Sequence, residues 1–297
     1  MQYPSSSSHR PEATAIGPSG RWWRAAALSV LLAGAPLAGA VDVVTERGYA
    51  GTTVDQQLVE AVLVRVNRLL SDTAIRLVPS WLSNGSSTVQ GFPVYLVQSG
   101  LKGAETPAAV PFGCRCVFVN PFVLADWVKN NSKGSGRLDL DRGNFLTFVL
   151  LHEAGHLAKL TSAAVFENGE MSQLNVDPSK AKAAEEEADD FAAELLKRRA
   201  RQAQVNDTSL DANWVVNELT KLSWNMQAFR SLDEFGAFAV GKPSVFFDNG
   251  YTHPNLAWRI LRVNNLIQRT KETQYLLDAF DDARRRGTDP QPLYQRK

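Results

Sequence analysis

Cysteine and histidine are both scarce in this chain of 297 residues, and their scarcity limits the chemistry open to it. The only cysteines are Cys114 and Cys116, and no other thiolate or nearby histidine completes a metal site with them. Two residues apart on a strand, they fit either a strained disulfide or two small buried side chains. One of the four histidines lies near the N-terminus. The other three are therefore the candidates for histidine chemistry: His152, His156 and His253.

Excess charge and long apolar runs are also lacking. The formal net charge is +1, and residues 1–40 contribute +2 of it, which leaves about −1 for the rest. This balance gives no reason to expect nucleic acid or an anionic membrane surface as a partner. After residue 40, no run is long and apolar enough to cross a bilayer. We therefore expect no nucleic-acid partner and no stable membrane span in the mature chain.

Residues 1–40 have the features of an export signal. Two arginines precede an apolar run from Ala25 to Leu37, and the small residues Ala38 to Ala40 follow it. This order is typical of a signal peptide, here cleaved after Ala40. Because the apolar run is short and contains Gly and Pro, an uncleaved anchor is only the alternative interpretation. The sequence thus predicts an exported protein, periplasmic or secreted.

Apolar patterning in residues 41–297 predicts an α+β, mostly helical fold in a single domain. A helix from Thr53 to about Leu70 comes first. Three short β-like runs follow, at Ile75–Val78, Pro93–Val97 and Cys116–Val119. The later chain is predicted to form helices at Pro121–Val128, from Asp141 or Asn144 to Leu160, from an Asp177-Pro178 start to a basic end near Arg201, at Asp211–Phe235 and at Pro254–Ala283.

The most informative stretch is the pentapeptide HExxH at residues 152–156. Residues four apart lie on one face of a helix, so His152 and His156 are placed to bind one zinc ion. Glu153 would then lie beside the metal and deprotonate its water. The preceding run, residues 145–151, is apolar all round, as in a buried helix. Because unpaired buried polar groups are costly, we interpret the three side chains as a metal site. The alternative is a core helix whose histidines only form hydrogen bonds.

Two histidines leave zinc half-coordinated, and catalytic zinc sites take a third protein ligand. The pattern that adds a third histidine is absent, because lysine and serine occupy its two diagnostic positions. Glu185 is the predicted third ligand, and Glu186 and Glu187 are the alternatives. The non-functional interpretation is that all three glutamates form a solvated acidic face near the start of a helix. Asp189, one turn after Glu185, is placed to hydrogen-bond the far nitrogen of a zinc histidine and so fix its tautomer.

Three segments together resemble the M48 peptidases, the group that contains the CAAX prenyl protease and the heat-shock protease HtpX. They are HExxH, the Glu-x-Glu-Ala-Asp segment at residues 185–189 and the Thr-His-Pro segment at residues 252–260. The resemblance covers about Val117 to Val263 and is to the small soluble exported members. It implies a zincin-like metallopeptidase domain of gluzincin type with a small sheet before the HExxH helix. The catalytic core would span residues 114–265, between an N-terminal part (41–113) of unknown affinity and a C-terminal helix and tail (266–297).

The resemblance also assigns roles to individual residues. It implies one zinc ion per chain, bound by His152, His156 and Glu185. Glu153 would be the general base, and His253 would help to stabilise the tetrahedral oxyanion, although an N-cap before Pro254 is the alternative for this histidine. Arg259 would pair with an acidic residue of the second helix, Asp189. Residues 117–120 would form the edge strand that holds an extended polypeptide substrate.

We therefore predict an exported zinc-dependent endopeptidase that acts on polypeptides. Two alternatives stay open. One is a zinc-stabilised envelope chaperone or assembly factor with weak or no proteolysis, against which the intact Glu153 argues. The other is a regulatory peptidase of the ImmA/IrrE type, which shares the Glu-x-Glu-Ala-Asp pattern but generally lacks the Thr-His-Pro segment and an export signal.

Overall fold

The computed structural model describes residues 53–82, 91–97, 106–111, 114–132, 136–161, 164–167, 170–173, 177–202, 204–226 and 253–283. The proposed leader, residues 1–40, lies outside these ranges, as do residues 227–235 of the predicted third long helix and Thr252 of the Thr-His-Pro segment. Within the described part, no helix is both long enough and apolar enough to cross a membrane.

Seven helices and six strands form in the described part, and they follow one another in chain order. They are α1 (Thr53–Leu69), β1 (Leu77–Pro79), β2 (Phe92–Leu96), β3 (Ala108–Ala109), β4 (Val117–Val119), α2 (Pro121–Ser132), α3 (Arg142–Lys159), β5 (Ala164–Glu167), β6 (Glu170–Gln173), α4 (Pro178–Ala200), α5 (Asp207–Met226), α6 (Leu256–Ile267) and α7 (Lys271–Ala283). The predicted α+β, mostly helical fold is confirmed.

Four of the strands form a small mixed sheet in the order β1-β2-β4-β3. The strands β1, β2 and β4 are parallel, whereas β3 runs antiparallel to β4, with Ala109 opposite Phe118. The strand β4 therefore has a neighbour on each side and is buried along its whole length. The prediction that residues 117–120 form the edge strand is wrong, because the two-residue strand β3 occupies that side of β4.

The cysteines before β4 form a disulfide. The Cα atoms of Cys114 and Cys116 are 5.2 Å apart, within the range that a disulfide spans. Of the two alternatives drawn from the sequence, the structure shows the cross-link.

One predicted helix is two in the structure. The segment Pro254–Ala283 contains α6 and α7, which are separated at Gln268–Thr270. Thr270 begins the second helix: its hydroxyl accepts from the backbone N–H of Thr273 at 3.1 Å, and the hydroxyl of Thr273 accepts from the N–H of Thr270 at 3.2 Å. This reciprocal cap satisfies backbone donors that a continuous helix would have used otherwise. The antiparallel pair of β5 and β6 was also not predicted.

Helix α3 is the central element of the fold. It packs against α1, α2, α4, α5 and β3, and twelve of its residues are buried. Asp141 caps its start by accepting from the backbone N–H of Asn144 at 2.7 Å. The buried carboxylate of Glu218 on α5 holds the cap itself by accepting from the N–H of Asp141 at 2.6 Å. The predicted buried helix is therefore present, and both its position and its start are fixed by neighbouring elements.

Candidate metal centre

The two histidines of the HExxH pentapeptide lie on one face of α3, as their spacing predicts. The Nε2 atoms of His152 and His156 are 3.2 Å apart, and the two rings are nearly perpendicular. Both side chains are buried, and so is that of Glu153 between them in the sequence. The buried helix thus presents two imidazole nitrogens at one point.

Glu185 reaches this point from the neighbouring helix α4. Its Oε2 lies 3.4 Å from the Nε2 of His152, and its Oε1 lies 3.5 Å from the Nε2 of His156. Glu185 is buried, whereas Glu186 is half-buried and Glu187 is exposed. The structure therefore brings the predicted glutamate, and neither alternative, to the histidines. In the described part of the chain, these three residues form a buried group that could bind a metal ion.

The spacing of the donor atoms fits a small divalent cation. Tetrahedral zinc with ligand bonds of about 2.0–2.1 Å places its ligand atoms roughly 3.3–3.4 Å from one another. Here the two Nε2 atoms are 3.2 Å apart, and they lie 3.4 and 3.5 Å from different oxygens of the Glu185 carboxylate. Two imidazoles and one carboxylate are also a donor set that suits zinc.

A close contact between α3 and α4 makes this arrangement possible. A Cβ atom at Gly155 would lie 2.8 Å from the Cα of Ala188 and 3.0 Å from its carbonyl oxygen. Only glycine lets the two backbones approach this closely, and Glu185 lies one turn before the contact. This role of Gly155 was not predicted from the sequence. The signal was a glycine within an otherwise apolar helix, where it costs about 0.5–1 kcal/mol relative to alanine.

The far nitrogen of His152 contacts a second acidic residue of α4. Its Nδ1 lies 3.0 Å from Oδ1 of Asp189, which is almost fully buried. Arg259 of α6 holds this carboxylate with two hydrogen bonds, from Nε to Oδ2 at 2.8 Å and from Nη2 to Oδ1 at 2.9 Å. Both contacts predicted for Asp189 are therefore present.

Arg259 makes a further contact that was not predicted. Its Nη1 lies 2.9 Å from Oε2 of Glu185, so one guanidinium binds the carboxylates of both Glu185 and Asp189. Arginine suits this position because its planar group carries several donors in a fixed arrangement. The side chain of Arg259 therefore ties the candidate metal ligand Glu185 to the residue that orients His152.

Burial and hydrogen bonding oppose each other in this cluster. Burial alone would lower the pKa of His152. Its hydrogen bonds with Asp189 and Glu185 outweigh burial and raise that pKa to about 10. Burial raises the pKa of Glu185, yet its contacts with the three histidines and the charge of Arg259 hold that pKa well below its usual range. The pKa of Asp189 is likewise lowered, because Arg259 and His152 outweigh the effect of burial. Both carboxylates are therefore ionised at neutral pH, and a metal ion at this point would displace the proton that His152 otherwise holds.

His253 lies at the margin of the cluster. Its Nδ1 is 3.4 Å from Oε1 of Glu185, and about a third of its side chain is exposed. It is not the N-cap of the following helix: that position belongs to Asn255, whose side chain accepts from the N–H of Trp258 at 3.1 Å. The N-cap alternative for His253 is therefore wrong, because Asn255 caps the helix.

Comparisons of the chain with protein-family models, with curated proteins and with solved structures found no match. The resemblance to the M48 peptidases therefore rests on the three sequence segments and stays a prediction.

Proposed function

We propose that this protein is a zinc-dependent endopeptidase of gluzincin type, related to the M48 peptidases. The supporting observation is the number of donors in the buried group. Structural zinc sites use four protein ligands, whereas catalytic sites use three and leave a position for water or substrate. Among the described residues the group contains His152, His156 and Glu185, and His253 does not belong to it. Three donors, with a buried glutamate next to His152 in the sequence, are the catalytic pattern.

The chemistry follows from these positions. A zinc ion held by the three donors would supply a Lewis acid that polarises a peptide carbonyl and makes water more acidic. Glu153 accepts a proton from the attacking water as its oxygen adds to the carbonyl carbon. When the carbon–nitrogen bond breaks, Glu153 returns that proton to the leaving amine. We assign to His253, which is partly exposed and 3.4 Å from Glu185, the donation of a hydrogen bond to the oxyanion.

Asp189 and Arg259 support the ligands rather than the substrate. In the neutral form that metal binding requires, His152 would donate its Nδ1–H to the carboxylate of Asp189, which would leave the Nε2 lone pair for the metal ion. The hydrogen bonds of Arg259 to both carboxylates keep Asp189 and Glu185 in place.

The polypeptide substrate is best accommodated at β3. Within the described residues this strand pairs with β4 on one side only, and it contacts α3. An extended peptide can add to such a strand through backbone hydrogen bonds. We therefore assign to β3 the substrate-binding role that was predicted for residues 117–120.

The proposed export to the periplasm or the medium is supported by the composition of residues 1–40.

Three variants test the proposal, with zinc content and hydrolysis of an unfolded protein measured side by side. The wild type should carry about one equivalent of zinc per chain, and Glu185→Ala should lose it. Glu153→Gln should keep the zinc while hydrolysis falls by about 10²–10⁴-fold. Glu187→Ala, an exposed neighbour, is the matched control and should retain both properties. Full hydrolysis by Glu153→Gln, or a wild type without metal, would contradict the proposal.

A further inference from the structure

Helix α3 ends in an unusual backbone conformation, next to the second histidine. Leu160, the residue after the last helical turn, has φ 55° and ψ 35°, which is the left-handed region. Among the described residues, it is the only one other than glycine with a positive φ. Helices often end in this way, but the position is normally occupied by glycine, because a Cβ atom is disfavoured there. The side chain of Leu160 is 78% exposed, so packing does not explain the choice.

The left-handed residue turns the chain back onto the last turn of α3. The backbone N–H groups of Leu160 and Thr161 both donate to the carbonyl oxygen of His156, the second at 3.1 Å. This places the hydroxyl oxygen of Thr161 3.3 Å from Nδ1 of the same histidine. The helix end therefore returns a polar side chain to the metal-facing residue that it has just passed.

We propose that Thr161 is the positioning residue for His156, and that the left-handed conformation of Leu160 serves to place it. The hydroxyl accepts the Nδ1–H of His156, so the imidazole takes the tautomer whose Nε2 lone pair faces Glu185 and His152. A metal-binding histidine needs such a partner to fix its ring and its tautomer. Thr161 thus does for His156 what Asp189 does for His152. The inference rests on the proposed metal site.

Zinc affinity of the full chain, measured by competition with a chelator, tests this role. Thr161→Val preserves the shape of the side chain but removes the acceptor, and we expect zinc affinity to fall about 10-fold or more. Thr161→Ser keeps the hydroxyl and should restore the wild-type affinity. The matched control is Thr220→Val: this exposed residue donates its hydroxyl to the carbonyl of Val216 in its own helix, so zinc affinity should not change.

The backbone part of the inference has its own pair of variants. Leu160→Gly is compatible with a positive φ and should keep the zinc affinity of the wild type. Leu160→Ile should lower it, because a β-branched residue is a poor fit to the left-handed region and would displace Thr161. Thermal unfolding of the metal-stripped proteins separates a loss of zinc affinity from a general loss of stability. The unfolding temperatures of Thr161→Val and Thr161→Ser should differ little.

The outcomes separate this inference from the function on which it rests. A wild-type chain that binds no Zn²⁺ would overturn both. Zinc binding by the wild type with equal affinity in Thr161→Val would overturn only the role of Thr161. If Thr161→Val does not fold, Leu160→Ile against Leu160→Gly decides, and equal zinc affinities in that pair would reject the proposal.

Discussion

The two histidines of the candidate centre are held in different ways. The partner of His152 is Asp189, a buried carboxylate that is itself bound twice by Arg259. The partner of His156 is the neutral hydroxyl of Thr161, which is only half-buried. Hydrogen bonds to ionised groups are roughly twice as strong as those between neutral groups. One histidine is therefore held by charge, and the other by the geometry of a helix end.

The two supports also differ in the sequence separation between each histidine and its partner. Thr161 is five residues from His156, whereas Asp189 is 37 residues from His152 and its partner Arg259 is 70 residues further on. The support of His156 thus depends on how α3 ends. The support of His152 depends on the packing of α3, α4 and α6 together. Variants of either support should therefore have distinct signatures.

The largest effect is expected from Arg259→Met, which removes the charge that balances Asp189 and Glu185. Both carboxylates are buried, so the loss of their cation should lower the free energy of unfolding by about 3–5 kcal/mol. Urea denaturation of the zinc-free protein measures this. Arg262→Met is the matched control on the same helix: its partner Asp190 is about half exposed, so the loss should be at most about 1 kcal/mol. Equal losses of stability in Arg259→Met and Arg262→Met would contradict the expectation that the buried ion pairs contribute more than the exposed one.

Gly155→Ala should affect both histidines together. The new methyl group would meet the backbone of Ala188, which can give way only if α3 and α4 separate. Overpacking of this kind costs about 1–3 kcal/mol of stability, and the separation should weaken zinc binding as well. Gly143→Ala, in the first turn of α3, meets only side-chain atoms at 3.3 Å or more and should be neutral or slightly stabilising. Unchanged zinc affinity in Gly155→Ala would mean that the close contact does not set the site.

Asp189→Asn sharpens the comparison between the two histidines. The amide keeps the size of the side chain but replaces the charged acceptor of His152 with a neutral one. Zinc affinity should fall by about 10–100-fold, or about 1.4–2.7 kcal/mol. This loss should exceed that of Thr161→Val in the same chelator titration, since the charged hydrogen bond is the stronger of the two. The reverse order would show that the helix end matters more than the ion pair.

The parts of the site that depend on local spacing could be predicted from the sequence. The four-residue interval of His152 and His156 placed them on one face, and the same interval placed Glu185 and Asp189 together on the next helix. Asp177 was also correctly predicted to start α4, where it accepts from the N–H of Ser179. These features follow from the geometry of a single helix, so they need no knowledge of its neighbours.

The features that were missed depend on contacts between elements. The strand β3 has only two residues, and pairing with β4 defines it, so no periodic pattern reveals it. The contact of Gly155 with Ala188 and that of Arg259 with Glu185 each join two helices. Thr161 is a different case, because its position follows from the left-handed residue before it, and leucine gives no signal of that conformation.

The long separation between the two halves of the ion-pair cluster has a consequence for the order in which the protein is made. Arg259 comes 107 residues after His152 and is the last of the cluster to leave the ribosome. Until α6 has been synthesised, Asp189 and Glu185 lack the guanidinium of Arg259 as an ion-pair partner. Burying both carboxylates without it would be costly. The centre therefore assembles only after α6 has been synthesised, and a chain truncated before Arg259 should not form it.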